Sequence, residues 1–238
     1  MQADTNMAVR TDAGDSAHAG QAAYTRFTLP FYDLLVMRYT LPRLWRCPKS
    51  RILELYDENV ANRHLDVGVA SGYLINRCRF PSESPEITLM DLNPRSLQFA
   101  ARRLRRYEPR TNRANVLEPW GLPAESFESI AMSNLLHCVP GTLRDKRVAF
   151  EHAKGTLAPG GTLFGATVLG LEADHSKRSR KAIESLNRKG SFSNLEDRPE
   201  DLEAGLAETF PFYEVQVEGV VALFTASKEG IGVQGGAA

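Results

Sequence analysis

The chain has 238 residues, with 29 Lys and Arg against 29 Asp and Glu, and 42% of its residues are hydrophobic. That length suits one α/β core, since single domains run to about 250 residues. The charge balance argues against a dedicated nucleic-acid binder, which carries a basic surplus. Cys47, Cys78 and Cys138 are scattered, with the spacing of neither a disulfide framework nor a metal site, so no metal is expected. No apolar run approaches the ~18 residues of a bilayer span. Residues 1–23 lack the apolar stretch of a secretory signal. They read as a flexible leader, residues 229–238 as a flexible tail, and the expected location is the cytoplasm.

In chain order, the aromatic-rich segment 24–60 reads as helical, in pieces broken by Pro42 and Pro48. Ser50 is the expected N-cap of a helix on which Ile52, Leu55, Tyr56 and Asn59 share a face. Strands and helices then alternate. The spacing predicts strand His64–Val67, helix Gly72–Cys78, strand Glu86–Asp91, and helix Pro94–Arg106 behind an Asn93 cap. Strands Arg113–Val116 and Phe127–Ser133, helix Leu143–Leu157 and strand Thr162–Leu169 follow. A polar, basic, partly helical stretch (170–199) interrupts the pattern. Helix Asp201–Thr209 comes next, and strands Tyr213–Glu218 and Val220–Ala226 form a hairpin around Gly219. This order predicts the α/β class: a seven-stranded, Rossmann-like, mostly parallel sheet with helices on both faces and a C-terminal antiparallel hairpin.

The chemistry concentrates at the first two strand ends. The first strand runs into Asp66, Gly68, Ala70 and Gly72, and the second ends in Asp91, 23 positions after Gly68. A strand-end carboxylate about 20 residues beyond a glycine turn is placed to hold a ribose. A dinucleotide needs close backbone approach to its pyrophosphate. Here Tyr73 stands where the third glycine would be, and the acid at Asp66 repels phosphate. The loop suits a nucleoside that carries an ammonium group and no phosphate, as S-adenosyl-L-methionine does. With Ala at position 70, the loop is expected to keep a right-handed or extended backbone there.

From Tyr32 to Ala226 the chain resembles the class I S-adenosylmethionine-dependent methyltransferases. The resemblance implies that Asp66, Gly68, Ala70 and Gly72 hold the amino-acid end of the cofactor, that Asp91 takes the ribose hydroxyls, and that Leu92 touches adenine. Asn115, with Val116 beside it, stands where the family has an acid that accepts from the adenine amino group. The segment Ser129–His137 matches the fourth-strand segment, whose end lies against the methyl donor, and Leu157–Thr162 matches the turn before the fifth strand. Residues 24–228 are then one methyltransferase domain, with 24–60 as N-terminal helical cap and 170–199 as an acceptor-capping insertion.

The resemblance makes Tyr32 a cofactor-covering residue, and Trp45, Phe192 and Asn194 acceptor contacts. Asn134 and His137 are the candidate catalytic residues, His137 as general base, although a histidine at a strand end also serves as a packed, hydrogen-bonded core residue. His152 reads as structural, and the run Lys177–Lys181 as a solvated helix face. The expected activity is in-line methyl transfer to a small molecule, which needs alignment and exclusion of water more than covalent machinery. Methylation of RNA or protein, or a non-catalytic cofactor-binding subunit, are the alternatives. Neither a membrane nor a nucleic acid is an expected partner.

Overall fold

The structure, a computed structural model, describes residues 36–230, with side chains from Tyr39 onward. A wide π-helical segment, Val36–Leu44, precedes helix α1, Lys49–Asn59. Strand β1, Arg63–Val67, leads through a glycine loop into the short helix α2, Tyr73–Arg77. Next come β2, Glu86–Met90, α3, Pro94–Arg103, and a three-residue β3, Arg110–Asn112. Strand β4, Phe127–Ser133, ends in a tight 3₁₀ turn, Leu136–Cys138. Helix α4 spans Leu143–Thr156, β5 Leu157–Val168, α5 Lys177–Arg188 and α6 Pro199–Thr209. The hairpin β6, Phe212–Glu218, and β7, Val221–Ser227, completes one sheet of order β3-β2-β1-β4-β5-β7-β6.

Strands β1 to β5 pair in parallel, and β7 runs antiparallel to both β5 and β6. Alternation along the strands feeds two cores. Leu89, Ala131 and Phe164 meet Ile52, Tyr56, Leu97 and Ala100 on one face. Val67, Ile130 and Met132 meet Phe150, Ala153 and Leu206 on the other. Because β2 lies to one side of β1 and β4 to the other, the crossovers diverge there and leave a crevice at the carboxyl edge.

Several boundaries differ from the sequence expectation. The third strand is Arg110–Asn112, fixed by pairing of Met90 with Asn112, so residues 113–116 form the loop beyond it. Pro42 lies within the π-helical segment and does not break it, and α1 is capped by Pro48 with Ser50 inside its first turn. The expected turn at residues 158–161 is a bulge within a longer β5: Phe127 pairs with Leu157, and Ser129 then pairs with Thr162. The Asn93 cap stands as expected, its side-chain oxygen accepting from Arg95 N–H at 2.9 Å with Pro94 at the first helical position. Among the described residues no helix is long and apolar enough to cross a membrane.

Candidate functional site

The crevice between β1 and β4 encloses about 1150 Å³ including its open mouth. Its walls are the ends of β1, β2 and β4 and the loop after β3, with Tyr56 and the start of α2 closing one side. Among the described lining residues there are two carboxylates, Asp66 and Asp91, and no lysine, arginine or histidine. Such a field favours a cationic ligand and disfavours a pyrophosphate.

The floor is the loop after β1. Gly68 (φ 71°), Ala70 (φ 48°) and Gly72 (φ 68°) are all left-handed. Gly68 is needed for more than its φ, since a Cβ there would lie 2.6 Å from Leu135 Cδ1. At Gly72 a Cβ would come within 3.0 Å of Ala100 Cβ on α3, so the glycine also lets the loop settle onto that helix. Ala70 overturns the expectation of a right-handed or extended backbone, at a cost of ~1–2 kcal/mol for an L-residue. The carboxylate of Asp91 holds it there: Oδ2 accepts from Ala70 N–H at 3.1 Å, while Oδ1 accepts from Asn93 N–H at 2.8 Å. Burial raises the Asp91 pKa from 3.8 to about 6 against the lowering effect of these two donors, with the Asp66 charge adding a smaller upward push. An anion so placed gains from further donors arriving in the crevice.

Asp66 is buried on β1 and accepts from the Tyr56 hydroxyl at 3.1 Å. Sequence reasoning missed Tyr56 as a site residue, although its place on the buried stripe of α1, ten positions before an acid, was a usable signal. At the end of β4, Ser133 Oγ and Asn134 Nδ2 are buried without a hydrogen-bond partner, and both residues line the crevice. Asn134 is itself left-handed (φ 58°), and its N–H donates to Ala166 O at 2.7 Å. Two such orphans side by side mark a place where a ligand completes the polar pairing.

Leu92, Asn115 and Val116 line the far end of the crevice. Asn115 lies in the loop beyond β3, with Oδ1 accepting from Leu117 N–H and Nδ2 donating to Glu118 Oε1, both at 3.1 Å. One lone pair of Oδ1 therefore remains for an incoming donor. Cys138 also lines the crevice, with its thiol pushed up to about 12 by burial, and Cys47 and Cys78 are raised to the same level. Tyr32 lies outside the described residues.

The remaining candidates form a layer beside the crevice and not its lining. The His137 ring is buried, and its Nδ1 accepts from Val168 N–H at 3.1 Å. Burial, with the nearby Lys146 charge, depresses its pKa to about 3. The neutral ring thus carries its proton on Nε2 and its one basic lone pair is engaged, a geometry that suits a hydrogen-bond donor and disfavours the expected general base. Phe192 packs on it at 4.4 Å between ring centroids, and Trp45 lies 6.2 Å from Phe192. Asn194 departs from the expected acceptor contact. It is buried, with Nδ2 donating to Val168 O at 2.8 Å and Oδ1 accepting from Asn187 Nδ2 at 2.9 Å, so its amide is used in the frame. Lys177, Arg178, Arg180 and Lys181 are exposed on α5, and Ser179 between them is buried.

A family model described as a methyltransferase domain matches residues 65–163, from β1 into β5. The chain is 44% identical over 207 residues to demethylluteothin O-methyltransferase of Streptomyces thioluteus, covering 87% of this chain and 90% of that protein. It is 36% identical to the physcion biosynthesis cluster O-methyltransferase of Aspergillus chevalieri, covering 88% and 95% respectively. Among solved structures, a DhpI–SAH complex superimposes with a TM-score of 0.61 at 16% identity, over 89% of this chain and 96% of that one. By these matches and by its strand order, this chain belongs to the class I S-adenosylmethionine-dependent methyltransferases.

Proposed function

We propose that this protein transfers a methyl group from S-adenosyl-L-methionine to a hydroxyl oxygen of a small molecule of specialised metabolism. The observation that carries the reading is a crevice whose described lining has two carboxylates and no cation over a left-handed loop, flanked by the orphaned Ser133 Oγ and Asn134 Nδ2. The residues present fit the cofactor. Asp91 takes the ribose hydroxyls, the loop Gly68–Gly72 with Asp66 holds the amino-acid end, and Leu92, Asn115 and Val116 face adenine. Bound there, the cofactor supplies an electrophilic methyl on a sulfonium. The chain's own part is to align the acceptor with that methyl at near-attack distance and to keep water out. Ser133 and Asn134, at the β4 end, are the polar groups nearest that task.

The names of the relatives at 44% and 36% identity support oxygen as the acceptor atom. A phenol or an enol ionises readily and asks least of His137, whose basic nitrogen is engaged. The test is incubation with methyl-labelled cofactor and a panel of small phenols and enols, read by mass spectrometry for labelled methyl ethers. Labelled ether from a small hydroxyl acceptor supports the reading. Label transferred only to RNA or protein, or to nitrogen alone, overturns it.

A further inference from the structure

Outside the crevice, the most constrained polar cluster lies behind the turn after β4. Lys146 on α4 and the Asp197 side chain are 0% and 1% exposed, with Nζ donating to Asp197 Oδ2 at 2.9 Å. The same ammonium donates to Ser193 O at 2.7 Å. Lys146 occupies the helix's apolar stripe with Leu143, Phe150 and Ala153. Burial lowers the Lys146 pKa and raises that of Asp197, each opposed chiefly by its partner's charge. A buried pair of this kind is a poor source of stability, because apolar residues of similar volume often serve as well. What it supplies is a fixed direction between a helix and a turn.

That turn, residues 193–197, is fastened on every side. Ser193 N–H donates to His137 O at 2.8 Å, Gly170 N–H to Asp197 O at 2.7 Å and Leu171 N–H to Leu195 O at 2.9 Å. Gly170 permits the approach, since a Cβ there would lie 2.4 Å from Leu195 O. Phe192, immediately before the turn, carries the ring that packs on His137 and faces Trp45.

We propose that Lys146 and Asp197 are positioning residues for the methyl acceptor: the pair fixes the 193–197 turn and, through it, the Phe192–His137–Trp45 wall beside the end of β4. The inference rests on the reading of the chain as a small-molecule methyltransferase. The side-chain hydrogen bonds between Lys146 and Asp197 and from Lys146 to Ser193 O reach no described residue that lines the crevice, so the proposed effect falls on the acceptor and not on the cofactor contacts.

The test uses the full chain with Lys146→Met, with Asp197→Leu and with both together. Each protein is measured by thermal melting, by calorimetric titration with the cofactor, and by initial rates on an acceptor the wild-type protein methylates. The singles are expected to melt earlier, because each strands a buried charge. The double variant recovers the melting temperature yet keeps an acceptor KM raised about tenfold or more, with cofactor Kd within about threefold of wild type. A folded double variant with wild-type acceptor KM overturns the proposal, as does a parallel rise in KM and cofactor Kd. Failure of the double variant to fold also overturns it, by making the pair a stability element. Absence of turnover by the wild-type protein on any small hydroxyl acceptor is a different result: it removes the functional reading itself, and this proposal with it.

Discussion

Replacing Asp91 by asparagine separates the charge of this side chain from its shape. The carboxylate accepts from two backbone N–H groups, and its pKa is raised to about 6 chiefly by burial. Asparagine keeps one oxygen, so one backbone donor and one ribose hydroxyl lose their acceptor. The backbone bond is missing in free and bound protein alike, so the one lost ribose bond, roughly 1.5–3 kcal/mol to a charged group, should weaken cofactor binding by about 10–10²-fold. The unliganded fold should change little at neutral pH. Holding the anion in place costs roughly 3 kcal/mol for a shift of about two pH units, and relief of that cost offsets the lost loop bond.

The sign of the pH dependence follows from the upward shift. A carboxyl with a folded pKa above its unfolded value holds its proton more tightly when folded. The contribution of Asp91 to the stability of the unliganded protein is therefore greatest below about pH 4, falls as pH rises toward about 6, and is level above that, while buried neutral His137 contributes with the opposite sign at low pH. Ribose hydroxyls donate to the anion, so binding expels the proton. Wild-type cofactor Kd should be flat above about pH 6 and rise about tenfold per unit below it, while Asp91→Asn loses that slope. Calorimetric titrations between about pH 5 and 8, in two buffers of different ionisation enthalpy, report both Kd and proton release. A flat wild-type Kd over this range, or undiminished affinity in a folded Asp91→Asn protein, would refute the ribose assignment.

Ala70→Gly relieves a left-handed alanine and should raise the melting temperature by about 2–4 °C for roughly 1 kcal/mol gained; a fall would show that the backbone is not strained there. Gly68→Ala drives a Cβ into Leu135 at φ 71°, costing ~1–2 kcal/mol of backbone strain before Leu135 moves. Its melting temperature and cofactor affinity should fall together, and an unaltered protein would contradict the close approach. Tyr56→Phe removes the donor to buried Asp66 and should cost about 1–3 kcal/mol in chemical denaturation, whereas no loss would mean that Asp66 finds another donor.

The strands and helices that face both cores were legible because their apolar periodicity is strong, and Asp91 was legible because its distance from the glycine turn is set by one strand–helix–strand unit. Strand β3 was not. Its three residues, Arg110 to Asn112, have no apolar side chain, and their extended backbone comes from pairing with β2 at the sheet edge. The chain passes Pro42 without a break because wider π-helical spacing moves the carbonyl that a proline ring would strike. The left-handed Ala70 depends on a bond to a residue just past the end of another strand, which no local propensity displays. Lys146 did leave a trace: a lysine in register with Leu143, Phe150 and Ala153 breaks an apolar stripe. Its partner, 51 positions away, was hidden until the chain folded.

The Ala70–Asp91 bond ties the loop after β1 to the end of β2. One carboxylate oxygen anchors the loop, and the same group lines the crevice, where the proposed function puts the sugar. Adenosine and methionine offered as separate fragments should therefore bind non-additively, the nucleoside firming the loop that its companion needs. Recognition of the whole cofactor then exceeds the sum of its pieces without any extra contact, and partial analogues are discriminated against by a cooperativity internal to a single ligand.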